Sequence, residues 1–483
     1  MIVLGLAVGL FVAVREVRDA TARYRPRPFS KALAHYTMGI IYDNDGKFEK
    51  AIAEYKKSLF YDPDVGHART RLAIDYIMMK DEAGALAELE KAKALDPADM
   101  KARFLSALIH TSSNRFDLAQ KECEEMIRID PESIWALSSL ADVYVLQEKM
   151  GDASLVYEKL LEKEESALVA FNLGVIYSKL GETGKAIEKF EQACRLDPEY
   201  LEAYVGLGAL YEARGDLTAA ISSFERALKI DPLNVRIYQY LGTLYRRASK
   251  RDDAIRQYEF IVGLDPKNAE AYVEWANLYL GQNKPREAIA ILDRAVTAGI
   301  KDISVYVALG YSNSLIGNSD DALRCYNTAL VADPDSALVH FYIGALYEKI
   351  GQKDRAVREL REAIRLDPKY ADAYNYLGYM LAEEGINLDE AVALAKKALE
   401  LEPENGAYID SLGWAYYKKG MHKEALAELE RAVTYESDDP VVRDHLGDAY
   451  LKNGFAGKAR AQWKRSLEFD PKQDSVRKKL RNR

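Results

Sequence analysis

Histidine, cysteine and paired carboxylates are the groups best equipped for metal or nucleophilic chemistry, and in this chain of 483 residues none is spaced for it. The six histidines, His35, His67, His110, His340, His422 and His445, include no HExxH and no close pair, so no metal set is expected. Cys123, Cys194 and Cys325 form no CxxC and lie more than 70 residues apart, which indicates neither a zinc site nor a disulfide framework. Glu124-Glu125 and Glu383-Glu384 fall in charged helical faces or turns, where water solvates them. The stretch GLGAL at 206–210 lies inside a helical pattern, not in the strand-to-helix context that a phosphate loop needs. Neither a catalytic residue nor a cofactor is expected, and the remaining chemistry is recognition. In YIDSLGWAYYKKG, residues 408–420, a tryptophan stands beside three tyrosines, two lysines and an aspartate. Rigid aromatic area beside acceptors suits partner binding, and it suits packing between helices equally.

The elements that must position these side chains are marked by proline. Ten of the fourteen prolines, Pro63, Pro97, Pro131, Pro198, Pro232, Pro266, Pro334, Pro368, Pro403 and Pro471, fall on one lattice with a step of 34. Nearly all follow aspartate, and a proline there ends a helix because it lacks an N–H and restricts the residue before it. An alanine recurs with the same period at thirteen positions from Ala51 to Ala459, with a large residue one turn later, as in Ala186 and Phe190 or Ala220 and Phe224. Each period holds two amphipathic helical runs separated by a turn such as EARGD. The small residue lets the two helices approach, and the large one fills the space beside it.

The period, the Leu-Gly-x-x-Tyr motif (Leu207, Gly208 and Tyr211 in one copy), the alanines and the closing proline resemble the tetratricopeptide repeat over about nine-tenths of the chain. The resemblance implies an all-α fold, a right-handed α-solenoid of about thirteen helical hairpins over residues 31–471. The polar, basic segment 472–483 then serves as a short C-terminal capping helix. It also implies that the first helix of each hairpin lines a concave groove through the residues three before, one after and four after the Leu-Gly glycine, a stripe set by helical spacing. Around Gly378 these are Asn375, Tyr379 and Ala382, with Tyr376 beside them; around Gly413, Asp410, Trp414 and Tyr417; around Gly447, Asp444, Asp448 and Leu451. This aromatic and acidic stripe suits a peptide or helix carrying basic or polar groups, and Trp414 and Tyr379 are expected to serve capture without supporting helicity. Arg236, Arg246 and Arg247, around Gly242, are a candidate basic patch for an acidic segment. No unit pairs a lysine three before the glycine with an asparagine one after it, so a clamp for chaperone C-termini is disfavoured.

Two departures stand out within the period. Ser106-Ala107 and His110 occupy the Leu-Gly and Tyr places of one unit, where looser packing is expected, and LAEEGINLDEA at 381–391 carries one extra residue, with Gly385 and Asn387 as its turn formers.

A formal charge of -9 over the whole chain argues against nucleic acid as the main partner. Residues 1–30 read as an apolar segment, IVLGLAVGLFVAV at 2–14, followed by an arginine-rich linker. A helix of that run is about 20 Å long, short of the ~30 Å hydrocarbon core, so it is read as a membrane anchor or a truncated signal segment. Taken together, the expectation is a non-enzymatic scaffold that binds other proteins, anchored at a bacterial inner membrane or exported to the periplasm. The alternatives are a substrate-recruiting subunit for a separate enzyme such as a glycosyltransferase, and a soluble cytoplasmic adaptor.

Overall fold

The computed structural model describes residues 27–481. The apolar run at 2–14 and the arginines that follow it lie outside the described residues. Among those described, 27 helices and no strand occur, and no helix is long and apolar enough to cross a membrane. The chain divides into two compact units, Met1–Pro232 and Leu233–Arg483.

In the first unit the helices are α1 (Arg27–Asn44), α2 (Phe48–Tyr61), α3 (Gly66–Met78), α4 (Glu82–Leu95), α5 (Met100–Ser112), α6 (Phe116–Ile129), α7 (Ile134–Leu146), α8 (Met150–Lys163), α9 (Ala167–Lys179), α10 (Thr183–Leu196), α11 (Leu201–Ala213) and α12 (Leu217–Ile230). The second holds α13 (Val235–Arg247), α14 (Arg251–Leu264), α15 (Ala269–Leu280), α16 (Pro285–Thr297), α17 (Ile303–Leu315), α18 (Ser319–Ala332), α19 (Ala337–Lys349), α20 (Lys353–Leu366), α21 (Ala371–Glu384), α22 (Leu388–Leu401), α23 (Gly406–Lys418), α24 (His422–Tyr435), α25 (Pro440–Lys452), α26 (Ala456–Phe469) and the short α27 (Asp474–Arg481). Within each unit every odd helix packs on the even helix after it, and that even helix packs on the next odd one. The architecture is therefore the expected α-solenoid: thirteen hairpins from α1 to α26, closed by α27.

The periodic residues meet where the pattern requires. All thirteen lattice alanines are completely buried. In eight hairpins the motif glycine faces the large residue of the second helix, so a Cβ on Gly208 would stand 2.5 Å from the Phe224 ring. Glycine is needed there for close approach. Aspartate precedes the lattice proline because its side chain holds the bend: Asp197 Oδ1 accepts Glu199 N–H at 2.9 Å while the Asp197 backbone is extended, as a residue before proline must be. Several motif tyrosines tie an odd helix to the even helix behind it, with Tyr211 Oη donating to Glu191 at 2.8 Å and Tyr450 Oη to Glu430 at 2.6 Å. The sequence reading missed a clamp at the start of several odd helices: Arg103 donates to Glu122 at 3.1 Å and back to the Pro97 carbonyl at 3.0 Å.

Both departures are visible. Gly385 and Asn387 take the left-handed conformation at φ 68° and 49°, which accommodates the extra residue. In the α5–α6 hairpin, Cys123 stands where Phe190 or Phe224 fills other hairpins, and the buried Ser106 Oγ and His110 Nδ1 have no hydrogen-bond partner.

A sharper local conflict sits in α3. Asp75 is fully buried and neither carboxyl oxygen has a hydrogen-bond partner. Burial above all, then the Asp43 carboxylate, push its pKa from 3.8 up to about 8, against the smaller opposing pull of Arg71. A carboxyl that holds its proton more tightly when folded stabilises the fold fully below the unfolded value and loses that contribution as pH rises toward about 8. Asp75→Asn removes the titration. Hydrogen exchange at the α3 amides of the full chain should therefore be slower in the variant than in the native protein at pH 8 and the same in both near pH 4, and equal protection at pH 8 would disprove the assignment.

Candidate functional site

The odd helices α21, α23, α25 and α27 stand side by side, and a polar ladder joins their predicted groove positions. Asp410 on α23 accepts from Nδ1 of His445 on α25, 3.0 Å from each carboxylate oxygen. One step on, Lys479 of α27 donates to both oxygens of Asp444 at 2.7 and 2.8 Å and to Asp448 at 2.7 Å. In both rungs the donor lies 35 residues after the acceptor. With the extra residue of the 381–391 turn counted in, the equivalent neighbour of Asn375 is Ser411, whose hydroxyl donates instead to the Ala407 carbonyl at 3.0 Å. Asn375 Oδ1 is left buried without a donor.

At that missing rung a cleft of about 340 Å³ opens. Asn375 and Tyr379 of α21, Asp410 and Ser411 of α23, and Glu436 and Asp439 of the α24–α25 loop line it, with Val441 and Val442 as its apolar flank. Asp439 also caps α25, accepting from the N–H groups of Val441 and Val442 at 2.7 and 3.0 Å. The loop comes this close because Gly406 opens α23: a Cβ there would lie 2.5 Å from Glu436 Cγ. Three carboxylates and an amide oxygen make the cleft an acceptor-rich pocket suited to a cationic donor.

The predicted stripe is thus only partly available. Asp410 and Trp414 are 5% and 7% exposed. The Trp414 ring stacks on His445 with centroids 3.9 Å apart and on Tyr417 at 4.8 Å, its Nε1 donates to Glu383, and Lys418 Nζ lies 4.9 Å over the ring. Trp414 is thus packed against its neighbours: the residue one after the glycine meets the next odd helix. Tyr376 packs edge-on against Phe341 and donates to Glu348 at 3.2 Å, and burial, then Glu348, push its hydroxyl up to about 12. Half-buried Tyr379 keeps an edge on the cleft. Asp444 and Asp448 are engaged by Lys479, with Trp463 Nε1 also donating to Asp448 at 3.2 Å. The three arginines are not gathered into one patch: Arg236 lies in the first turn of α13 and Arg246 and Arg247 in its last, about 15 Å apart along the axis. Arg246 Nε lies 3.9 Å from Glu274.

Glu436, Asp439 and Ser411 were not singled out by the sequence reading. The available signal was the loss of the lattice proline at Ser437, which turns a standard Asp-Pro stop into ESDDP, residues 436–440.

Because Trp414 is packing, Trp414→Ala is expected to cost about 3–5 kcal/mol of stability, the range for emptying a buried large aromatic position. Thermal melting followed by circular dichroism tests this, and an unchanged melt would return Trp414 to the binding surface.

Family models described as tetratricopeptide repeat match residues 138–200, 171–235, 241–303 and 316–357, and also 32–65 and 408–439, and a further one described as TPR repeat matches 349–385. Together they cover more than half of the chain. The tetratricopeptide repeat protein 21 homolog of Caenorhabditis elegans is 28% identical over 110 residues, 23% of this chain and 8% of that protein. The general transcriptional corepressor ssn6 of Schizosaccharomyces pombe is 25% identical over 126 residues, 26% of this chain and 11% of that protein. The chain thus spans about a tenth of the length of the curated relatives it matches. Among solved structures, the APC/C hetero-tetramer Cut9-Hcn1 aligns over 92% of this chain and 94% of that one with 17% identity and a TM-score of 0.45. With thirteen phased hairpins and matching models along its length, the chain belongs to the tetratricopeptide repeat family.

Proposed function

We propose that this protein-interaction scaffold works without chemistry of its own and captures a basic side chain of a partner peptide or helix in the cleft between α21, α23 and the α24–α25 loop. The observation that carries the reading is the buried, donorless Oδ1 of Asn375, which lines a pocket that also holds Asp410, Glu436 and Asp439. A buried acceptor left unpaired costs about 1–3 kcal/mol, which a ligand N–H recovers. Lys479 shows within the molecule what these positions accept, a helix-borne ammonium bridging two aspartates one turn apart. Tyr379 supplies aromatic area on which the stem of a lysine or arginine lies. No function beyond binding is assigned to the hairpins, which account for every helix from α1 to α26.

The proposed setting is a bacterial envelope complex, with the apolar run at 2–14 holding the scaffold at the inner membrane or carrying it toward export; the support is that run, while the arginines after it favour the cytoplasmic side. Cell fractionation with protease access tests the setting, and quantitative recovery in the soluble cytoplasm would refute it.

The cleft is tested by a fluorescein-labelled octapeptide of alternating arginine and glycine titrated into the full chain. Asn375→Ala and Glu436→Gln are each expected to weaken its binding about tenfold, the loss of one charge-assisted hydrogen bond. Native affinity in both variants would eliminate the cleft as the site.

A further inference from the structure

Asp410 forms one wall of the cleft and at the same time holds His445, which lies behind it. Resting on the cleft reading above, we infer that a proton on His445 and a partner's cationic side chain compete for Asp410, so that the cleft takes up a basic segment with release of a proton and holds it more tightly as pH rises.

The geometry leaves Asp410 as the shared group. Its two oxygens are each 3.0 Å from His445 Nδ1, it is one of the acids lining the cleft, and the imidazole is 5% exposed and stacked on Trp414 at 3.9 Å. The ring therefore reaches the cleft only through the carboxylate. The groups facing His445 are Asp410 and Trp414 from α23, Glu383 and Tyr379 from α21, and Asp444 of its own helix, with Lys479 of α27 behind Asp444. Burial alone would lower the pKa of the imidazolium, but Asp410, then Asp444 and Glu383, outweigh it and hold the value above the ordinary 6.5.

A guanidinium or ammonium arriving on the far side of Asp410 places a second positive charge across one carboxylate from the imidazolium. Two cations on one carboxylate repel each other, so the occupied cleft lowers the pKa of His445. Linkage is reciprocal: whatever the cation does to the proton, the proton does to the cation. Affinity is therefore lowest where His445 is charged in both states and climbs as pH rises between the bound-state and free-state pKa values. Above the free-state value it is constant. A cation seated on Glu436 and Asp439 alone, away from Asp410, produces no such slope.

The test uses the full chain and the alternating arginine–glycine octapeptide, whose guanidinium groups stay charged throughout. At constant ionic strength its affinity for the native protein should rise with pH through the His445 titration, by the same factor by which binding lowers the proton affinity of the imidazole. In His445→Gln the rise should vanish. Calorimetry in buffers of different ionisation enthalpy should count protons released by the native chain and none by the variant. If the variant does not fold, the His445 Cε1–H resonance of the native protein supplies the second readout, since saturation with peptide should lower its midpoint. Tight binding without a pH slope and with an unmoved midpoint would overturn the competition and leave the cleft standing, whereas no binding at any pH would remove the cleft itself.

Discussion

The structure depends on one steric interlock, repeated with the sequence period. In most hairpins a glycine or alanine of the first helix receives a large side chain of the second, as Gly208 receives Phe224, and a buried alanine four residues before that side chain keeps the backbones close. Such contact at near-crystalline density fixes the rotation of both helices about their axes. Once that rotation is fixed, the direction of every other side chain on the first helix follows. The tyrosine three residues after the glycine turns toward the preceding hairpin, and the residue three before it turns toward the next odd helix. Position in the repeat therefore decides what a residue meets before its chemistry does.

Polar groups are placed under that constraint. A solenoid buries the ends and flanks of many helices, and each buried donor or acceptor needs a partner. In the last repeats of the second unit the positions between odd helices carry charged rungs, His445 on Asp410 and Lys479 on Asp444 and Asp448. These rungs join hairpins that already pack, and removing one member leaves the other buried and uncompensated, which costs more than the pair contributes. Asn375 differs because its expected donor is a serine that satisfies a local carbonyl instead. The resulting gap coincides with the loop in which Ser437 replaces the lattice proline, and that loop brings two further acids to the same place.

The sequence read this architecture closely because it is written thirteen times. Alanine, glycine, the large residue and Asp-Pro each have one steric or backbone task, and repetition separates that task from local accident. Two left-handed residues in the 381–391 turn were legible for the same reason, as an exception to a known period. Less legible was the identity of the stripe's neighbours. Asp410 and Trp414 carry the composition of a binding surface, and nothing in their own helix says that His445, 35 residues later, covers them. The arginines are spread for a simpler reason: proximity to Gly242 in sequence leaves them in the first and last turns of a 13-residue helix. Glu436 and Asp439 belong to a loop, where the helical period gives no direction at all.

The helix α27 shows how these two themes join. Its Val476 is completely buried and its Lys479 completes the ladder, so eight residues reproduce the contacts that a further odd helix would make with α25 and α26. A neutral residue at 479 would leave Asp444, whose pKa burial raises and Lys479 lowers, beside Asp448 without that compensation. The terminal helix must therefore be basic on its inner face for the same reason that the cleft favours a basic partner: the first helices of these repeats present acceptors to whatever packs next. In α27 the donor comes from the chain itself. Beside Asn375 the chain supplies none, and that difference, not the composition of the stripe, separates a packed position from an open one.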